Sequence, residues 1–490
     1  MPLTMPTTDR VILLCLDGAS YDLLRPLGTA HRMPFLAELL ERSALVRLEP
    51  AGLLSETTAW GDVFAGAGPE IHGQLDDVYL SQRRDLLLAA DLDHLPAPTL
   101  QSTVAQEWGP AAVRCVASRL NKFGVWKRRP QTLEEIGHGG ARMEMVLQSL
   151  ARQAWEADPA WRLLMARIDA LDVLQHRLWH LLGIDSECRA PRGWEESILA
   201  IYRSVDRCLT SFCRLAEHRG ATVVLVSPYG FQSLQGRIDI LELLSRRGLV
   251  QALSLPGQAG FIARRAARRV GRSLQRALRL PGARQWSQAI GGLHPIDWRR
   301  SPALTLHGET EGFVYLNTAE RFGGRSASTP REREQTQSEI VAALQEAFHP
   351  LSGQPLFREV FCTAQRWGGD PRARGWPEVV ALPAPGFMVR AALDQRHQVL
   401  RPDPRLSGTH SDQGLLAICQ AGIATGQHCQ AARIDVAPTV LAMLGIPCAP
   451  SMSDRVLHEL FAAATDYDSA TMGFRSTPRP SISTSTVSPG

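Results

Sequence analysis

The chain has 490 residues, of which 44% are hydrophobic and 21% charged, and its formal net charge at pH 7 is +4. This composition is that of a globular protein with a large core, and so small a positive excess gives no basis for nucleic-acid binding. The nine cysteines form no CxxC pairs, no apolar run is long enough to span a membrane, and the N-terminal stretch lacks the pattern of a signal peptide. We therefore expect a cytoplasmic protein with reduced thiols.

Short, continuous apolar runs predict strands that are buried on both faces. In chain order they are Val11–Leu16, Leu163–Ile168, Thr222–Val226, Val379–Leu382 and Leu415–Cys419. Helical patterns lie between them, at Met33–Ser43, Met143–Ala157, Leu199–His218 and Gln335–Ala347. This alternation predicts an α/β fold with a largely parallel central sheet sandwiched between helix layers.

Two segments depart from this pattern. Within residues 236–300, Ala263–Arg284 carries eight arginines among Ala, Leu and Val and reads as a basic amphipathic helix. Such a helix could contact a membrane surface or an acidic partner, although a solvated helix that caps the main sheet is the interpretation we favour. The C-terminal stretch from about Ser469 is rich in Ser, Thr and Pro and predicts a disordered tail.

Polar residues follow two of the predicted strands, where ligands collect in folds of this kind. Asp17 ends the first strand, and as an alternative to a functional role it could cap the next helix. Asp172 and His176 lie at i,i+4 at the start of a helix, so both side chains share one face and could bind one divalent ion. Without a further ligand, a solvated surface pair is the more frequent outcome. His180 extends the same face, but we do not expect it to be a ligand.

Several further motifs occur in a known order and give these residues more weight. They are LCLDGASYDLLRPL, IDALDVLQHRLW, VVLVSPYGF, SGTHSDQGLLAI, which contains His410, and IDVAPTVLAMLGIP. From about Arg10 to Phe461 the chain resembles the alkaline phosphatase superfamily, and within it the type I phosphodiesterase/nucleotide pyrophosphatase branch. The resemblance implies one alkaline phosphatase-like α/β domain at 10–465, with an N-terminal extension at 1–9, a basic helical insertion or cap at 236–300 and a tail at 466–490.

The resemblance also implies a pair of metal ions that clamp phosphoryl oxygens during in-line displacement. One ion would be held by Asp172, His176 and His410, all of which have the expected residue types. The other would be held by Asp17, the nucleophile and an Asp-His pair. That pair is replaced here by Pro228 and Tyr229. We therefore expect one ion rather than two, zinc in the first place and manganese as the alternative.

The nucleophile position is also altered. Counting four residues back from Trp60 gives Glu56, whereas a shift of one residue gives Thr57, and Ser55 is close. A carboxylate would not repeat the chemistry of a Thr alkoxide, but it could ligate a metal or act as a general base toward water. Glu56 and Thr57 are accordingly the candidate catalytic residues.

These features leave two main hypotheses. The first is a metal-dependent phosphoester hydrolase or transferase with an atypical, one-metal site and a phosphorylated small molecule as substrate. The second is a catalytically degenerate pseudoenzyme that binds a phosphorylated ligand or a partner protein. A third hypothesis, new chemistry with Tyr229 as an acid, competes with the simpler view that its ring fills vacated space.

Overall fold

The computed structural model describes part of the chain between residues 7 and 461. The described residues are 7–19, 33–49, 53–75, 78–80, 86–88, 97–118, 120, 125–126, 129–182, 193–253, 296–297, 299–305, 308–322, 329–393, 398–420, 423, 425–426 and 428–461. The predicted basic helix Ala263–Arg284, the tail at 466–490 and most of the N-terminal extension lie outside these residues.

Strands and helices alternate along the described chain. The strands are β1 (Val11–Leu16), β2 (Ala44–Glu49), β3 (Val78–Leu80), β4 (Leu86–Leu88), β5 (Val113–Ala117), β6 (Leu163–Ile168), β7 (Thr222–Ser227), β8 (Gly230–Ser233), β9 (Gly236–Asp239), β10 (Ala303–Leu304), β11 (Gly312–Leu316), β12 (Phe357–Cys362), β13 (Val379–Pro383), β14 (Phe387–Arg390), β15 (Leu400–Arg401), β16 (Gly408–Ser411), β17 (Gly414–Cys419) and β18 (His428–Ala432). The helices are α1 (Pro34–Glu41), α2 (Glu56–Ala65), α3 (Pro69–His72), α4 (Leu100–Trp108), α5 (Leu133–Trp155), α6 (Ala170–Leu178), α7 (Trp194–Arg219), α8 (Ile240–Arg246), α9 (Ala319–Phe322), α10 (Pro330–Gln345), α11 (Thr363–Trp367) and α12 (Val436–Met443). None of these helices combines the length and the apolarity that crossing a membrane requires.

A seven-stranded sheet in the order β18-β2-β17-β7-β1-β6-β5 forms the centre of the molecule. β1 pairs in parallel with both β6 and β7, and β5 continues the parallel arrangement beyond β6. β17 runs antiparallel to both of its neighbours, β2 and β7. The prediction of an α/β fold with a largely parallel central sheet is confirmed.

Hydrophobic side chains cover both faces of this sheet. Because strand residues alternate between faces, β1 sends Ile12, Leu14 and Leu16 into one core and Val11 and Leu13 into the other. The first core is completed by α1, α5, α6 and α7, and the second by α2, α4 and α12. Burial on both faces explains why the central strands are continuously apolar in sequence.

A third core surrounds a four-stranded antiparallel sheet in the order β10-β11-β13-β12. The predicted strand Val379–Leu382 belongs to this smaller sheet, as β13, and not to the central one. A continuous apolar run indicates burial but does not say in which sheet a strand is buried.

Candidate active site

Asp172, His176 and His410 form a compact cluster at the carboxyl end of the central sheet. The Oδ1 atom of Asp172 lies 3.0 Å from Nε2 of His410 and 3.4 Å from Nε2 of His176. One candidate ligand atom from each residue lies within 4.8 Å of the other two, and all three residues are buried. The predicted trio is therefore brought together.

The local sequence explains how the cluster is built. α6 begins directly after β6, so that Asp172 and His176 project from one helical face beside the strand end. His410 comes from β16, where it pairs with Phe231 of β8. Gly408 allows β16 to lie close to α6, because a Cβ atom at position 408 would lie 2.5 Å from the carbonyl oxygen of Gln175 in that helix. His410 thus lies on a short strand.

Backbone carbonyls orient both imidazoles. Nδ1 of His176 lies 2.9 Å from the carbonyl oxygen of Gly408, and Nδ1 of His410 lies 3.3 Å from that of Leu54. A carbonyl oxygen can only accept, so each Nδ1 carries a proton, and Nε2 is the ring nitrogen that faces Asp172, where a bound metal ion would take the place of a proton. The Phe231 ring packs against both imidazoles in T-shaped arrangements, with centroid distances of 4.8 and 5.2 Å.

This donor set fits a divalent transition metal. Zinc binds imidazole nitrogen and carboxylate oxygen at about 2.0 to 2.2 Å, so that neighbouring ligand atoms of a tetrahedral site lie roughly 3.3 Å apart. The separations of 3.0 and 3.4 Å from Asp172 Oδ1 are close to that spacing. Burial by itself would raise the pKa of Asp172, but the charges and hydrogen bonds of His176 and His410 outweigh it and hold that pKa well below its usual range. The carboxylate is therefore ready to bind a cation.

Asp17 lies near this trio but is engaged by other groups. Its Oδ1 accepts hydrogen bonds from Trp60 Nε1 at 2.5 Å and from the Tyr229 hydroxyl at 3.2 Å. Its Oδ2 accepts one from Arg167 Nε at 3.1 Å. Within the described residues, the group of potential ligands around Asp172 does not include Asp17. The expectation that Asp17 is a metal ligand stays a prediction.

Arg167 is a residue of the candidate site that was not predicted from the sequence. It is the charged residue of the apolar strand β6, and its Nη2 atom contacts a carboxylate oxygen of Glu56 while its Nε binds Asp17. Burial would lower the pKa of Arg167, but Asp17 and Glu56 hold it well above its usual range. A single charge inside an otherwise apolar strand was the signal that could have identified it.

The two candidate catalytic residues lie at the start of α2. Ser55 caps this helix by accepting a hydrogen bond from Thr58 N at 3.2 Å. Glu56 is the first helical residue and is held by Arg167, and the half-buried Thr57 follows it. The structure thus brings Glu56 into the same charged group as Asp17.

Tyr229 fills the place where the Asp-His pair was expected. It is fully buried, and its ring stacks on the His410 imidazole with a centroid distance of 4.0 Å. Its hydroxyl reaches Asp17. One aromatic ring therefore joins the potential metal ligands to the Asp17 carboxylate, and Pro228 contributes no side-chain donor.

A cavity of about 200 Å³ opens beside His410. Its walls include Arg358, which pairs with Asp412, and Glu311, which directly precedes β11 of the smaller sheet. Glu311 is buried, which raises its pKa, and it accepts a hydrogen bond from Thr310 Oγ1 at 2.6 Å. The cavity thus offers polar groups of both signs next to one potential metal ligand.

Comparisons with known proteins agree with this arrangement. A family model described as type I phosphodiesterase/nucleotide pyrophosphatase matches residues 11–410. Phosphonoacetate hydrolase from Sinorhizobium meliloti 1021, solved in complex with phosphonoformate, is 15% identical with a TM-score of 0.52, over 90% of this chain and 97% of that chain. The structure of the same enzyme with phosphonoacetate gives the same values. Human ectonucleotide pyrophosphatase/phosphodiesterase 5 is 13% identical with a TM-score of 0.48, over 93% of this chain and 100% of that chain.

Among curated protein sequences, none matches the chain significantly. The structural likeness at 15% identity shows a shared fold. The family model, by contrast, spans most of the chain, from β1 to the potential ligand His410. The chain belongs to the type I phosphodiesterase/nucleotide pyrophosphatase family of the alkaline phosphatase superfamily.

Proposed function

We propose that this protein is a phosphoester hydrolase whose active site holds one divalent metal ion, zinc in the first place and manganese as the alternative. The observation that carries the proposal is the convergence of Asp172, His176 and His410, whose ligand atoms all lie within 4.8 Å of one another. Three protein ligands leave a coordination position open, as in catalytic rather than structural zinc sites. Membership of a family that acts on phosphoesters supports the same reaction class.

The bound ion would supply Lewis-acid polarisation of a phosphoryl oxygen. The protein residues have separate tasks. The carbonyls of Gly408 and Leu54 fix the two imidazoles in the tautomer that ligates. Glu56 is the candidate base toward an attacking water, and Thr57, one position further along α2, is the alternative group for attack. The cavity beside His410 offers space for the remainder of the phosphoester.

A second candidate function is binding without turnover. It is favoured by the hydrogen bonds that occupy both oxygens of Asp17, and by Tyr229, which fills the adjacent space. Such a protein would keep the metal trio and bind a phosphorylated ligand or a partner protein. Metal content alone does not distinguish the two candidates, whereas turnover does.

The test combines metal analysis with a phosphoester assay. We expect about one zinc or manganese per chain in the wild type, and turnover of bis(p-nitrophenyl) phosphate or p-nitrophenyl phosphate. His176→Ala should lose the metal and the turnover together. The matched control is His180→Ala, because His180 lies one turn further along and outside the cluster; it should keep both.

Two other outcomes are informative. Metal in the wild type without turnover of either ester would favour the binding function. An unchanged metal content in folded His176→Ala would contradict the proposed site.

A further inference from the structure

Two carboxylates converge on one guanidinium beside the potential metal ligands. Arg167 binds Asp17 through Nε at 3.1 Å and Glu56 through Nη2. The Asp17 side chain is 1% exposed, whereas those of Glu56 and Arg167 are 33% and 29% exposed. A carboxylate buried as deeply as Asp17 requires a compensating positive charge, and here that charge belongs to the protein itself.

Arg167 is held firmly in this position. It projects from a central strand, β6, and its guanidinium lies over the Trp60 ring at 5.6 Å from the centroid. Trp60 in turn donates to the Asp17 oxygen that Arg167 does not use. The planar fork of an arginine suits such bidentate bridging of two carboxylates better than a lysine would.

The space on the other side of Asp17 is also filled. The Tyr229 hydroxyl donates to Asp17 Oδ1, and the ring stacks on His410. A divalent ion bound to Asp17 would have to displace the guanidinium, compete with two neutral donors and find its remaining ligands without help from Pro228. The residues present therefore fit one ion at the trio and do not fit a second ion at Asp17.

We propose that the Arg167 guanidinium takes the place of a second divalent ion, so that the site contains one exchangeable metal and one permanent organic cation. The role of this arrangement in catalysis rests on the proposed function. The inference itself concerns only which cation Asp17 and Glu56 bind. Removing Arg167 leaves two facing carboxylates, a donor pair that hard divalent cations and zinc accept. The variant should therefore gain a metal site.

The experiment measures zinc per chain after loading with Zn²⁺ and desalting. We expect about one equivalent in the wild type and about two in Arg167→Ala. The double variant Asp17→Asn/Arg167→Ala should return to one, because the new site loses a carboxylate. Arg167→Lys should stay at one, since it keeps a positive charge between the carboxylates.

Thermal unfolding gives a second readout that is independent of activity. Without metal, Arg167→Ala should unfold at a lower temperature than the wild type because two carboxylates lose their counter-charge. Added Zn²⁺ should raise its melting temperature by more than it raises that of the wild type. A variant that stays unfolded even with Zn²⁺ would overturn the inference, since the ion should replace the lost cation.

Failure of this inference is distinguishable from failure of the proposed function. One equivalent in both the wild type and folded Arg167→Ala would overturn the inference and leave the proposed one-metal site intact. Two equivalents in the wild type would also overturn it, because an ion would then coexist with the guanidinium. No zinc in the wild type but one equivalent in Arg167→Ala would support the inference and contradict the proposed metal trio.

Discussion

Tyr229 connects two parts of the candidate active site through a single side chain: the potential metal ligands and the Asp17 carboxylate with its partner Arg167. Its ring packs against His410, and its hydroxyl donates to Asp17. The two roles belong to different parts of the residue, so they can be separated by substitution.

Tyr229→Phe keeps the ring and removes the hydroxyl. We expect the free energy of unfolding to fall by about 1.5 to 3 kcal/mol, the usual net value of a hydrogen bond to a charged group, while zinc content stays unchanged. Denaturant unfolding and zinc analysis test this. Tyr229→Ala is the comparison, because it also removes the stack on His410 and should weaken zinc binding. Loss of the metal in the phenylalanine variant would contradict the division of roles.

Gly18 follows Asp17 with a positive φ of 78°, and a Cβ atom there would lie 2.7 Å from the Phe231 ring. We expect Gly18→Ala to cost about 1 to 2 kcal/mol in backbone strain and roughly 1 to 3 kcal/mol more in overpacking. Because Phe231 contacts His176, zinc affinity should fall as well. The control is Gly220→Ala, which has a φ of 61° and open space around it. Equal losses of stability and equal zinc affinity in both variants would show that the Phe231 contact is unimportant.

The residues of the site were predicted from the sequence to different degrees. The i,i+4 spacing of Asp172 and His176 was enough to place both on one helical face, whereas His410 was identified through the family resemblance. Arg167 was missed because an arginine in a strand can point to solvent or inward, and the direction is decided by its tertiary partners Asp17 and Glu56.

At the scale of elements, α6 is buried along its whole length, its first turn carries Asp172, and a second carboxyl group, that of Asp169, lies at its start. Asp169 precedes the helix, and its Oδ1 accepts a hydrogen bond from the Ser118 hydroxyl. Burial raises the pKa of Asp169 to about 6, although that hydrogen bond opposes the shift. The helix that presents the potential metal ligands Asp172 and His176 thus begins at a carboxyl group with an elevated pKa.

This shift predicts a dependence of stability on pH. The folded chain keeps the Asp169 proton up to about pH 6, whereas an unfolded chain releases it near pH 4. Because Asp169 binds more protons in the folded state in this window, its contribution to the free energy of unfolding decreases as pH rises from about 4 to about 6. Asp169→Asn mimics the protonated acid, so this decrease in the free energy of unfolding should be absent from the variant.

The measurement is the melting temperature of Asp169→Asn minus that of the wild type, at a series of pH values. The difference should grow between about pH 4 and 6 and stay constant above about pH 7. Glu134→Gln, at an exposed position on α5, serves as the charge control. A difference that does not change with pH would contradict the assignment to Asp169.

Element positions were predicted well in the centre of each apolar run and less well at the ends. α5 begins at Leu133, ten residues before the predicted start at Met143. The intervening glycines lower helix propensity. The helix nevertheless forms there because Thr132 caps it and the Trp126 ring occupies the space that a side chain at Gly139 would need. A local pattern does not reveal that contact.

At the scale of the whole molecule, both sheets contribute residues to the candidate active site and its cavity. The central sheet supplies Arg167, is followed at the end of β1 by Asp17 and leads into α6, whereas the smaller sheet supplies Arg358 and, directly before β11, Glu311 to the cavity beside His410. The fold class followed from the strand–helix alternation. The separate antiparallel sheet did not, because burial on both faces leaves the same apolar signature in either sheet.

The pairing of β16 with β8, which positions His410, has a consequence for the stage of synthesis at which the cluster can form. Asp172 and His410 are 238 residues apart in the chain. Since a chain is synthesised from its N-terminus, β1, β6 and α6 emerge from the ribosome long before His410 exists. A nascent chain that lacks His410 cannot offer an ion all three residues of the proposed site, so binding of the proposed ion by the full trio would follow the synthesis of nearly the whole domain.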